Sequence, residues 1–229
     1  DVGDAPTHPL DVAASLDSIQ DFFAGIRDAG ARPLAAGGDH LVTLPILRAI
    51  ASDGPIGLLQ LDAHSDTQDA MLGERYANGT PIRRAIEEGL VDPKRVVQIG
   101  IRGTLFSADE LDWALGRGVT IVTIDEFQDR GVEETIAQSL RTLATGPTYL
   151  TLDIDVLDPA FAPGTGGLEP GGMTVRELQK LIRGLGSLDL VGADITEVSP
   201  PLDASGTTAL VACSLMFELL CLLAVRAHG

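Results

Sequence analysis

Seven polar side chains stand where apolar runs end: His40 shortly after Ala36, then Asp62, His64 and Asp66 after Leu61, Asp153 and Asp155 after Leu152, and Glu197 after Ile195. In an extended segment, residues at i, i+2 and i+4 point to the same side, so Asp62, His64 and Asp66 can converge. Asp153 and Asp155 form a second pair of the same kind. Bringing both sets together crowds four carboxylates into a small volume, which is costly unless cations compensate. Six donors, His40, Asp62, His64, Asp66, Asp153 and Asp155, suffice for two ions. Their oxygen-rich character with two imidazoles suits Mn²⁺ or a related ion better than a sulfur-seeking metal. Asp-x-His-x-Asp and Asp-x-Asp are each short enough to arise by chance, so the combination carries the argument.

Two competing motifs fail on their own chemistry. Asp62 to Gly73 has Thr67 where a calcium loop needs glycine and Gly73 where it needs a bidentate glutamate. Pro163-Gly164-Thr165-Gly166-Gly167 lacks the Gly-Lys-Ser/Thr ending of a phosphate loop and is read as shaping the wall beside Asp153 and Asp155. His8 and His228 have no such company and read as surface or terminal residues.

The elements that must position these groups alternate. Helical periodicity covers Leu10 to Ile26, Leu41 to Ala51, Pro81 to Gly89, Ala108 to Gly116, Glu133 to Leu143, Val175 to Leu185 and Thr208 to Val225. Short apolar strands are expected at Arg32 to Ala36, Ile56 to Leu61, Val96 to Ile101, Thr120 to Ile124, Thr148 to Leu152 and Leu188 to Ile195. Helix and strand in turn predict an α/β fold with a mainly parallel sheet covered on both faces. Ligands in such folds sit outside the carboxyl ends of the strands, where the seven polar groups fall. No repeat or linker divides the 229 residues, so one domain spanning 1–229 is expected.

Sixteen basic against 33 acidic residues, a formal net charge of -17, exclude a phosphate-tracking surface and so a nucleic-acid partner. The apolar run Ala209 to Val225 is interrupted by Ser214 and Glu218 and short for a membrane span, so it reads as a buried helix. No export signal opens the chain, and a cytoplasmic location is the expectation. Cys213 and Cys221 would lie roughly 12 Å apart along one helix and cannot bridge each other.

The motifs GGDH at Gly37 to His40, DAHSD at Asp62 to Asp66 and DIDVLDPAFAPGTG at Asp153 to Gly166 together resemble the manganese-dependent ureohydrolases, the arginase and agmatinase family. Gly79 to Pro93 (GTPIRRAIEEGLVDP) and Val97 to Gly103 (VQIGIRG) look most like its agmatinase branch. The resemblance implies a three-layer α/β/α arginase-like fold, assembly as trimers or hexamers, and two Mn²⁺ per chain. By position, one ion would take His40, Asp62, Asp66 and Asp153, and the other Asp62, His64, Asp153 and Asp155. The implied activity is hydrolysis of a guanidino C–N bond, in agmatine or a guanidino acid, by a water whose pKa the paired metals lower. Asp66 would pass a proton to the leaving nitrogen, and Glu197, in DITEVSPPLD, would hold the cationic guanidinium. Family members commonly carry histidine immediately before Gly-Thr-Pro, where it assists proton transfer or substrate binding. This chain has Asn78, which cannot shuttle protons. Slow turnover or a different substrate follows, since formimino-hydrolysing relatives also depart at that position. The family usually begins with a further stretch bearing its first strand, so the expected fold lacks an N-terminal strand region and exposes sheet edge and apolar surface. The rival reading is a metal-binding but catalytically weak homologue or fragment acting through subunit association.

Overall fold

The computed structural model describes residues 1–105, 107, 109–143 and 146–227. Helix α1 (Val12–Asp28) starts where the Asp11 carboxylate accepts the Ala14 N–H and leads to β1 (Leu34–Ala36). A 3₁₀ turn at His40–Val42 opens α2 (Thr43–Ile50), which is followed by β2 (Ile56–Leu61), α3 (Pro81–Glu87) and β3 (Val91–Ile101). Then come α4 (Glu110–Leu115), β4 (Thr120–Thr123), α5 (Ile124–Leu143), β5 (Pro147–Asp153), α6 (Val175–Gly184), β6 (Asp189–Thr196) and α7 (Thr207–Ala227). A capping box between Thr174 and Glu177 fixes the start of α6.

The strands form one parallel sheet in the order β1-β6-β5-β2-β3-β4. From β2 the chain winds outward through β3 and β4, whereas β5 returns to the other side of β2 and β6 continues away from it. The order therefore reverses between β2 and β5, where doubly wound sheets open a crevice for ligands. Apolar side chains of both faces are buried. Leu58, Val96 and Tyr149 pack towards α1, α2, α3 and α4; Leu59, Leu61, Val97, Ile99, Leu150 and Leu152 pack towards α5, α6 and α7. This is the expected three-layer α/β/α arrangement.

The differences from expectation lie at boundaries. Strand β3 begins at Val91, because Val91 pairs with Ile56 before a register shift brings Val96 beside Leu58 across Asp92-Pro93-Lys94-Arg95. The helix expected from Glu133 begins at Ile124 and is broken at Gly131, whose φ of 80° interrupts the helical ladder. The expected start at Ala108 lies outside the described residues, as does His228. Helix α7 is half-buried rather than buried. Ala212, Leu215, Leu219 and Leu223 face the core, whereas Leu210, Phe217 and Leu220 and the free thiols Cys213 and Cys221 face outward. His8 is exposed, with its Nε2 3.1 Å from Ser18 Oγ.

Candidate active site

Four adjacent strands, β1, β6, β5 and β2, bring their carboxyl ends to the crevice. His40 follows β1, Glu197 follows β6, Asp153 ends β5, and Asp62, His64 and Asp66 follow β2. All six ligand candidates converge, but the extended alternation expected for them is only part of the reason. Asp66 sits in the left-handed region with φ 53°, and Asp155 lies on a 3₁₀ turn, Ile154–Val156. Glu197 also has positive φ, at 64°. Such backbone costs about 1–3 kcal/mol per residue and concentrates at functional sites.

His40 is the centre of the cluster. Its Nδ1 lies 2.8 Å from Asp66 Oδ2, 3.1 Å from Asp62 Oδ2 and 3.4 Å from Asp153 Oδ2. This buried nitrogen nevertheless makes no hydrogen bond of acceptable geometry. Its backbone N–H donates to Glu197 Oε1 at 2.8 Å, tying the guanidinium-holding candidate to the same turn. His64 Nδ1 lies 2.9 Å from Asp155 Oδ2, and the other Asp155 oxygen accepts the Ala63 N–H at 3.0 Å. Ligand atoms of His40, Asp62 and Asp153, and separately of Asp62, His64 and Asp155, lie close enough together for each trio to hold a metal ion.

Without cations this concentration of charge retains protons. Burial, then the neighbouring Asp155 and Asp66, pushes Asp62 up to about 7. Burial with Asp155 and Asp62 holds Asp153 well above the usual carboxylate range. Burial opposes protonation of both histidines, but the acids overcome it. Asp66, Asp153 and Asp62 raise His40 well above its ordinary value, and Asp155 brings His64 to about 9. Burial would also raise Asp155, yet its hydrogen bond with His64 keeps it low. Glu197 is raised, chiefly by burial.

A cavity of about 220 Å³ opens above the cluster, lined by His40, His64, Asp66, Asp153, Asp155 and Glu197, with Gln68, Met71, Asn78, Gly79, Gly166 and Gly167 as its outer wall. The glycine-rich segment thus forms a wall of this cavity, and Asn78 is at its exposed rim. A larger cavity of about 480 Å³ lies beside Arg102 and Leu105, but its charged lining is only Arg102 and Asp125. The smaller one holds the candidate ligands.

A buried polar row escaped the sequence reading. Gln98 pairs in register with Gln60, Gln60 with Thr151, and Thr151 with Asp194, across β3, β2, β5 and β6. All four side chains are fully buried. Gln98 Nε2 donates to Gln60 Oε1 at 2.6 Å, and Gln60 Nε2 donates to Asp62 Oδ2 at 2.7 Å. The signal was a polar residue among the apolar ones of each of these strands, which is expensive to bury unless it has a partner.

The arginase family model matches residues 1–222. The chain is 55% identical over 228 residues to guanidinopropionase of Pseudomonas aeruginosa, covering 99% of this chain and 72% of that protein. It is 42% identical over 227 residues to agmatinase of Serratia proteamaculans, covering 99% and 71%. The solved structure of proclavaminate amidinohydrolase from Streptomyces clavuligerus superposes with a TM-score of 0.93 at 45% identity, over 97% of this chain and 74% of that one.

Proposed function

The chain belongs to the arginase family, and from that membership we propose that it is a binuclear manganese-dependent amidinohydrolase cleaving a guanidino C–N bond to release urea and an amine. The observation that carries this reading is His40 Nδ1, buried among three carboxylates without a well-formed hydrogen bond to any. Deprotonated, that nitrogen and the acidic oxygens around it are a donor set for a divalent cation, and the four carboxylates and two imidazoles suit Mn²⁺. In this reading His40, Asp62, Asp66 and Asp153 hold one ion, and Asp62, His64, Asp153 and Asp155 hold the other. Bound there, the ions supply compensating positive charge and lower the pKa of a water molecule.

The remaining work belongs to the chain. Glu197 has one oxygen occupied by the His40 N–H. Its other oxygen is the one that binds the guanidinium by a charge-assisted hydrogen bond. Asp66, on the cavity wall, accepts a proton from the attacking water and returns it to the departing nitrogen. Gly166 and Gly167 line the cavity, and a Cβ at Gly167 would come within 2.8 Å of His64 Cε1 and 3.0 Å of Asp155 Oδ2, so glycine there lets the loop lie against two of the ligand candidates. Identity of 55% to a guanidinopropionase, against 42% to an agmatinase, puts short guanidino acids ahead of agmatine. Asn78 favours a second reading, a weak homologue or a formimino-group hydrolase, because an amide at the rim cannot move protons.

The test is urea release by the Mn²⁺-loaded chain from guanidinopropionate, guanidinobutyrate, agmatine and arginine. Urea from at least one, fastest from guanidinopropionate, is expected. A chain that binds two ions and yields urea from none of them sinks the first reading.

A further inference from the structure

Asp194 touches no part of the cavity, yet it is a fully buried acid one strand from the cluster. Its two oxygens accept three hydroxyl hydrogen bonds. Thr151 Oγ1 donates to Oδ1 at 2.6 Å, while Thr43 Oγ1 and Tyr149 Oη donate to Oδ2 at 2.8 and 2.9 Å. Thr151 Oγ1 also lies 2.8 Å from His40 Nε2. A hydroxyl has one proton to give. With that proton committed to Asp194, the Thr151 oxygen can only accept, so His40 Nε2 must carry the hydrogen, and in the neutral ring that a cation requires Nδ1 is the nitrogen with the lone pair. Nδ1 is the atom that faces Asp62, Asp66 and Asp153.

We propose that Asp194 is a positioning residue that acts through Thr151 to fix the tautomer and ring orientation of His40, so that Nδ1 is ready for a divalent cation. The inference rests on the metal-centre reading above and adds to it a carboxylate that is no ligand. Geometry makes its influence local. The row member on the other side, Gln60, bonds to Asp62 rather than to His40. The Asp194 arm therefore bears on the one ion of the pair that His40 would hold, whereas His64 and Asp155 lie outside its reach. Outer partners of this kind typically change metal affinity about 10- to 100-fold.

The experiment is stepwise Mn²⁺ titration of the full chain, read by calorimetry and by electron paramagnetic resonance of bound and free ion. The variants are Thr151→Val, Thr151→Ser and Asp194→Asn. Thr151→Val keeps the shape and removes the hydroxyl; it is expected to weaken one binding step about 10- to 100-fold and leave the other within about threefold. Asp194→Asn keeps Oδ1 as an acceptor for Thr151 and removes only the charge, so it is expected to weaken the same step less than Thr151→Val does, and Thr151→Ser to restore wild-type affinity. In the Zn²⁺-loaded protein labelled with ¹⁵N-histidine, the His40 Nε2 proton is expected to exchange slowly with water in wild type and Thr151→Ser, and rapidly in Thr151→Val. Unchanged affinities in Thr151→Val overturn the proposal. So do equal losses at both steps with a lowered melting temperature, which mark a merely structural role. A wild-type chain that takes up no divalent cation overturns the reading of the site and this inference with it, whereas two-ion binding with silent variants overturns the inference alone.

Discussion

Asp153 ends β5 with Oδ1 accepting the Asp155 N–H at 2.9 Å and Oδ2 facing His40. Asp153→Asn keeps that acceptor and the side-chain volume but removes a charge that the proposed ligand sets assign to both ions. If the proposed centre is right, metal content per chain is expected to fall from two ions towards none, and urea release by at least about 100-fold, since losing a ligand assigned to both ions costs more than the roughly 10- to 100-fold of an outer partner. Full activity in Asp153→Asn means the ligand assignment is wrong. Asn78 calls for the opposite substitution. Asn78→His places a group that can move protons at the cavity rim and is expected to raise kcat about 10-fold or more with KM little changed. An unchanged or lower kcat in steady-state assays counts against a missing shuttle as the limit on rate. The seven strand-end groups were legible in the sequence because each follows an apolar run. Asp194, Thr151, Gln60 and Gln98 were not, because one polar residue inside a buried strand shows its purpose only when the register sets it beside another.

At the scale of elements, alternation of helix and strand fixed the layers, and the strand ends located the candidate site. Strand order was not legible, because local periodicity says nothing about which strand β5 joins; that depends on which pairing buries the most apolar surface and satisfies the strand edges. The same limit hid the left-handed backbone at Asp66 and Glu197, where tertiary contacts override the preference of non-glycine residues. The loop after β3 supplies a test. The N–H groups of Arg102 and Gly103 both donate to the Ala63 carbonyl, at 2.9 and 2.8 Å, which pins this loop against the DAHSD segment. A Cβ at Gly103 would overlap the His64 ring. Neither partner can retreat cheaply, so Gly103→Ala is expected to cost about 1–3 kcal/mol and displace His64. The expected result is a melting temperature lower by roughly 2–10 °C, with Mn²⁺ affinity weakened at the step that uses His64. Gly38→Ala is the control, because a Cβ there meets nothing within 4 Å. Wild-type melting and metal binding in Gly103→Ala would show that the loop yields more easily than its hydrogen bonds imply.

For the whole molecule, the acidic balance divides into two unequal parts. Most of the 33 acids are scattered surface charge, and the two divalent ions proposed would offset only a small part of the formal -17. The buried acids matter more, because they link metal, pH and stability. In the metal-free chain Asp62 has its pKa raised from 3.8 to about 7, and His64 has its own raised from 6.5 to about 9. Both groups bind protons more tightly when folded than unfolded, so stability must fall as pH rises through these values. The His64 contribution is fully present below about 6.5 and is lost by about 9, and Asp62 adds a loss between about 4 and 7. In the proposed metal centre divalent cations would replace those protons with charge that does not titrate, so a loaded chain would escape the loss. Between pH 6 and 9 the metal-free melting temperature is therefore expected to drop by roughly 5–10 °C, on the order of a few kcal/mol, while that of the Mn²⁺-loaded chain stays within about 2 °C. Mn²⁺ affinity should rise over the same interval, because each proton displaced at neutral pH is already absent at pH 9. Calorimetric melting of both forms across this range decides the matter. A metal-free chain whose melting temperature is flat or rises from pH 6 to 9 would mean that protons do not occupy the cluster in place of cations.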